Sequence, residues 1–216
     1  MTAPQHRNTS GDWRAAWRAR QAKRGWTRLM QTPPFAGGGP VRLHIGCGDI
    51  DAPGFLNVDA RPAPHVHIVT SSLFRLEMVP DGAADMVYMC HVLEHVPLDQ
   101  VVATLKEMHR VLRPEGVLRL SVPDLDLMIA AYHATGRRVG VIERALMGGQ
   151  NHPYNFHYAV FNAERLCDDL LSSGFRQTRR WDVQNCAHHD FEDWASREMV
   201  WKDQRFPISL NVEGVK

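Results

Sequence analysis

The run Val41-Arg42-Leu43-His44-Ile45 stops at two glycines one residue apart, Gly46-Cys47-Gly48. A β-branched and apolar run of this length reads as a buried parallel strand. The glycines let the backbone turn sharply and approach a bound molecule without Cβ interference. Many strand ends carry the same pair as a plain tight turn, so alone it leaves both readings open. A second apolar run, beginning at Phe55, ends on a carboxylate, Asn57-Val58-Asp59. In nucleoside-binding α/β sheets the first strand ends in a glycine turn and the second in an acid that accepts hydrogen bonds from ribose hydroxyls. Asp59 is that acid here. A dinucleotide site is disfavoured, because its fingerprint wants a third glycine and roughly 20 residues to the acid. In this chain Asp49 to Phe55 contains Pro53-Gly54 and leaves no room for a regular crossover helix.

Further strands are expected at Val66 to Val69, at Asp85 to Cys90 after the Pro80-Asp81-Gly82 turn, and at Val117 to Val122. Between the last two, Val101, Val102, Leu105, Met108, Val111 and Leu112 recur at helical spacing, and Arg113-Pro114-Glu115-Gly116 ends that helix. Asp124 to Tyr132, Val141 to Met147 and a helix capped by Asn162 follow. Phe175 to Val183 and Pro207 to Glu213 read as an antiparallel closing pair with Ala187 to Arg205 inserted between them. The fold class is therefore α/β, a doubly wound, mostly parallel sheet with ligands outside the carboxyl ends of its strands.

A length of 216 residues favours one buried core. Residues 1–40 read as a basic arm and linker and residues 41–216 as the main domain, with insertions near 124–160 and 185–206. The arm holds seven bases against Asp12, a balance of +6, so the remainder of this +1 chain carries −5. An acidic main domain argues against a nucleic-acid substrate. Trp13 and Trp17 stand at helical spacing in the arm, which is expected to form a short basic helix able to touch a membrane surface, a protein partner or the domain itself. Cys47, Cys90, Cys167 and Cys186 form no Cys-x-x-Cys pair and read as reduced thiols. Without a long apolar run or a signal-peptide core, a cytoplasmic protein is expected; dimerisation is left open.

Four motifs in order resemble the class I S-adenosylmethionine-dependent methyltransferases: Leu43-His44-Ile45-Gly46-Cys47-Gly48, Asn57-Val58-Asp59, Asp85 to His95 and Arg110-Val111-Leu112-Arg113-Pro114-Glu115-Gly116. They are most similar to a type 11-like bacterial subgroup with a shortened first crossover. The resemblance implies a seven-stranded, Rossmann-like sheet and S-adenosyl-L-methionine as cofactor. It implies that the Gly46-Cys47-Gly48 turn approaches the methionine moiety, that Asp59 binds the ribose, and that Ser72 and Leu73 lie by the adenine. Cys90 and His91 would line the floor near the sulfonium, with His95 one helical turn further; the resemblance leaves Glu94 open between a ligand and a helix-start or packing residue. His44 stands where the family commonly has an acid, Ile50 where it has a third glycine, and Ser72 where an Asp is frequent.

Methyl transfer mainly requires that donor and acceptor be held with reacting atoms about 3 to 3.5 Å apart, and a hydroxyl acceptor benefits from a base. Of twelve histidines, His157, in the segment Gly149 to Tyr158, is the first candidate, His91 the second and His152 the third. No metal is expected: His188-His189-Asp190-Phe191-Glu192-Asp193 carries ligand types but reads as a solvated loop. These features make a small-molecule methyltransferase the leading reading, with O-methylation of a sugar or natural product. The alternative is a non-catalytic module that keeps the fold and binds through its basic arm.

Overall fold

The computed structural model describes residues 12–32, 35–73 and 75–216. Helix α1 (Asp12–Leu29) precedes β1 (Arg42–Ile45), β2 (Leu56–Asp59), β3 (Ile68–Val69) and β4 (Ala84–Cys90). Helix α2 (Val101–Val111) leads into β5 (Leu112–Pro123), followed by α3 (Leu125–Ala134), α4 (Val139–Met147), α5 (Ala163–Ser172) and β6 (Gln177–Arg180). Strands β7 (Glu198–Trp201), β8 (Gln204–Pro207) and β9 (Ser209–Val215) complete the chain. Seven strands form one sheet in the order β3-β2-β1-β4-β5-β9-β6. The first five run parallel, and β9 is antiparallel to both β5 and β6. This is the mostly parallel α/β sheet with an antiparallel closing pair that the sequence pattern implies.

The strand period of two sorts side chains between two cores. Leu43 and Ile45 of β1, Val87 and Met89 of β4, and Leu118 and Leu120 of β5 lie in one cluster with Val101, Leu105 and Met108 of α2 and Leu166 and Leu170 of α5. The alternate residues Met86 and Tyr88 of β4 meet Phe55, Trp181 and Ala195 in a second cluster. The irregular stretch after β6 thus covers sheet that the short β1–β2 connection leaves without a helix. Helix starts follow local chemistry: Asp124 accepts from Asp126 N at the head of α3, and Asn162 accepts from Arg165 N at the head of α5.

The arm forms α1, and Trp26, Leu29, Met30 and Phe35 pack against the main core. Trp17 is exposed; the side chain of Trp13 lies outside the described residues. The insertion between β6 and β9 contains the β7–β8 hairpin, whose Met199 joins Ile208, Met128 and Ala131 in a third cluster that docks α3. Burying a methionine in this way contributes about 1.5–3 kcal/mol. Sheet register also sets Glu213 opposite both Arg119 and Arg179. Its two oxygens accept from Arg119 Nε at 2.8 Å and Arg179 Nε at 2.7 Å, and the Arg119 guanidinium lies 5.0 Å from the Trp181 ring. Paired on all sides, a charge can be carried inside this part of the sheet.

Candidate active site

A cavity of about 990 Å³ opens at the carboxyl ends of β1, β2, β4 and β5 and extends to the loop after α4. Its first part is the glycine turn. Gly46 and Gly48 adopt φ of +66° and +57°, a region costly for residues with a Cβ. At Gly46 an added Cβ would stand 2.4 Å from Val92 Cγ2. Gly48 N donates to Asp59 Oδ2 at 2.9 Å and Arg61 N to Asp59 Oδ1 at 2.8 Å. Each carboxylate oxygen retains a further lone pair, and Asp59 lines the cavity. An open backbone turn beside an acid with spare acceptor capacity fits the methionine and ribose parts of an S-adenosyl cofactor.

The neighbouring positions refine the expected site. Thr70, Ser71 and Leu73 form the wall beyond Asp59, while Ser72 N donates to Thr70 Oγ1. His44 is buried among the rings of Phe55, Tyr88 and Phe191, and burial pulls its pKa down to about 4. It is a neutral ring and supplies none of the charge of the acid it replaces. Cys47 and Cys90 both border the cavity. Burial and Asp59 push the Cys47 thiol up to about 12, and burial raises Cys90 well above the usual thiol range. Both are therefore protonated walls and not nucleophiles.

Beyond Cys90 the second part of the cavity is built around Glu94. Its side chain is 1% exposed, and neither carboxylate oxygen has a hydrogen-bond partner among the described residues. Three histidines face one of those oxygens, Oε1: His91 Nδ1 at 3.3 Å, His95 Nε2 at 4.0 Å and His157 Nε2 at 4.0 Å. Burial pushes Glu94 up to about 8 and holds His157 down at about 4 and His91 at about 3, with repulsion among the imidazoles adding to the histidine shifts. His91 also takes a φ of +51° at the end of β4, a conformation that stores strain. His152, the third histidine candidate, borders the cavity, and its Nδ1 accepts from Tyr154 N at 3.3 Å.

The structure thus gathers His91, His95 and His157 around Glu94, whose role the sequence left open between a ligand and a helix-start or packing residue. The available signal was a carboxylate flanked by His91 and His95 inside an apolar segment. The stretch from His188 to Asp193 is only partly a solvated loop. His189 and Asp193 turn inward, with His189 Nε2 at 3.5 Å from Asp193 Oδ1 and the Tyr88 hydroxyl donating to Asp193 Oδ2. His188, Asp190 and Glu192 are exposed, so alternation along an extended segment divides the six residues between core and water.

Residues 43–120 match the family described as a methyltransferase domain. Among curated protein sequences none matches the chain significantly. Solved structures similar in fold include an S-adenosylmethionine-dependent methyltransferase from Archaeoglobus fulgidus, 15% identical, covering 95% of this chain and 100% of that one with a TM-score of 0.53. A second is the 1,6-didemethyltoxoflavin-N1-methyltransferase of Burkholderia thailandensis with 1,6-didemethyltoxoflavin and S-adenosylhomocysteine bound. It is 17% identical, covers 100% of this chain and 93% of that one, and has a TM-score of 0.50. A third is a putative methyltransferase of Haloferax volcanii in complex with the activator Trm112, 13% identical over 98% and 99% of the two chains, TM-score 0.50. The shared architecture is the class I methyltransferase fold. Among the described residues no helix is long and apolar enough to cross a membrane.

Proposed function

We propose that the chain, whose residues 43–120 match a methyltransferase domain and whose fold is similar to that of S-adenosylmethionine-dependent methyltransferases, methylates a hydroxyl of a small-molecule acceptor, a sugar or natural product. One observation carries this reading: a single cavity joins the Gly46–Gly48 turn and Asp59 to the chamber of His91, His95, His157, Tyr154 and Tyr158. When bound, the cofactor supplies a methyl group on a sulfonium sulfur; its C–S bond breaks with the pair left on sulfur as the acceptor oxygen bonds the methyl and passes its proton to an imidazole of the chamber, His157 first. Asp59 and the glycine turn hold the donor half of that encounter. Cys90, at the end of β4, borders the same cavity and stays uncharged. The chamber presents tyrosine rings that suit the flat face of a sugar or an aromatic acceptor, together with imidazoles that accept hydrogen bonds from hydroxyls.

Its size also favours a small acceptor over a polymer, since about 990 Å³ must hold both substrates and sites for single ligands span roughly 300–1,000 Å³. The test is a screen of hydroxylated acceptors with S-adenosylmethionine carrying an isotopically labelled methyl group. Label transferred to oxygen in a small acceptor supports the reading. Transfer confined to amines, nucleic acid or protein overturns it.

A further inference from the structure

The geometry points to a divalent transition-metal site formed by Glu94, His95 and His157, with His91 as a fourth donor. The ligand atoms of the first three lie within 4.8 Å of one another. Their hydrogen-bond assignments are decided by their partners. His95 Nδ1 lies 3.0 Å from Phe156 O and His157 Nδ1 lies 3.0 Å from Ala145 O. A carbonyl oxygen can only accept, so both Nδ1 atoms carry the hydrogen. In the neutral rings both Nε2 atoms then hold lone pairs. His91 follows the same logic: its Nε2 lies 2.8 Å from Ser209 Oγ, whose own hydroxyl donates to Trp194 O at 2.7 Å. His91 Nε2 therefore donates, and the lone pair is on Nδ1.

All three of these nitrogens lie 3.3–4.0 Å from Glu94 Oε1, which also has only lone pairs to offer when ionised. Four acceptors facing one another in a buried site repel. A proton on Glu94 satisfies one of the three nitrogens; a cation among them satisfies all four groups at once. Each imidazole is also oriented by a hydrogen bond from its other nitrogen to a carbonyl or hydroxyl, the arrangement that fixes tautomer and direction in metal-binding histidines.

Three imidazoles and one carboxylate suit zinc, iron, nickel or copper better than magnesium, which prefers an oxygen shell. With metal–nitrogen bonds of about 2.0–2.1 Å, tetrahedral donors stand roughly 3.4 Å apart. The nitrogens stand 3.3–4.0 Å from Glu94 Oε1, and the donors of Glu94, His95 and His157 all lie within 4.8 Å of one another, near that spacing. The cluster borders the acceptor chamber, so a metal held by Glu94, His95 and His157 alone would leave its fourth position, opposite His91, for an acceptor hydroxyl. That use rests on the methyltransferase reading; the metal site does not.

The test uses the full chain, stripped with a chelator, dialysed, and titrated with Zn²⁺ and separately with Co²⁺, with no cofactor or acceptor present. One ion per chain is expected, with visible absorption bands from bound Co²⁺ and no competition from Mg²⁺. Glu94→Gln and His157→Ala should each weaken Zn²⁺ at least about tenfold. Absence of stoichiometric binding overturns the proposal, as does binding that both variants leave unchanged. If Glu94→Gln no longer melts cooperatively, His157→Ala and His95→Gln carry the comparison. Because the readout is metal occupancy, it fails independently of cofactor binding, which a parallel titration with S-adenosylhomocysteine measures.

Discussion

Gly46→Ala and Gly48→Ala separate two costs that meet in the turn after β1. Both glycines have similar positive φ, +66° and +57°, so alanine pays about 1–2 kcal/mol at either position for a left-handed backbone. Their surroundings differ. A Cβ on Gly48 meets nothing nearer than Arg61 Nη2 at 3.7 Å, whereas one on Gly46 lies 2.4 Å from Val92 Cγ2 and 3.2 Å from Cγ1. Ordinary carbon contacts stand at about 3.5–4.0 Å, and overpacking of this kind costs about 1–3 kcal/mol. Gly46→Ala should therefore lose ~2–5 kcal/mol and Gly48→Ala ~1–2 kcal/mol, measured by denaturant unfolding with linear extrapolation. Adding Val92→Ala should recover ~1–3 kcal/mol in the Gly46 variant and nothing in the Gly48 variant, read as a double-mutant cycle. Equal losses for the two glycine variants, or no coupling to Val92, would refute the reasoning.

Glu213→Ala leaves Arg119 buried beside Trp181 without its carboxylate and should cost about 3–5 kcal/mol in the same unfolding assay. The His44 contribution to stability should fall as pH drops, while Glu94, raised to about 8, contributes in the opposite sense. His44 titrates near 6.5 when unfolded and near 4 when folded, so the unfolded state binds the proton first and folding weakens from about pH 6.5 down to about pH 4. Asp193 and Asp59 oppose this depression of the pKa, while His189 and His65 add to it. The full effect is roughly 3 kcal/mol. His44→Phe should flatten that part of the pH profile; an unchanged profile shows that other groups govern it. His157→Ala should abolish turnover while leaving S-adenosylhomocysteine affinity intact, and retained turnover would remove His157 from the reaction.

The strand ends were legible because each carries its own chemistry. Gly46 and Gly48 turn the chain after β1, Asp59 ends β2, and Asn162 caps α5 where an Asx side chain is expected. The β7–β8 hairpin was not, since Glu198, Val200, Gln204 and Arg205 are exposed and give little apolar alternation, and its turn uses Lys202 at φ +55° in place of a glycine. Nor was the role of Glu94. Its partners come from the end of β4 and from the loop after α4, and only the tertiary fold brings His157 within 4.0 Å of it. His189 and Asp193 were hidden for a related reason, because their burial depends on Tyr88 and Trp181 of another part of the sheet.

The central claim is that the cavity at Gly46–Gly48 and Asp59 holds an S-adenosyl cofactor, and calorimetric titration with S-adenosylhomocysteine tests it most directly. One site per chain is expected. Asp59→Ala removes the acceptor for Gly48 N and Arg61 N together with the proposed ribose contact, and should weaken binding at least about tenfold, the equivalent of ~1.4 kcal/mol. No heat of binding at high protein concentration, or an affinity indifferent to Asp59→Ala, would contradict it and leave the fold as an interaction module.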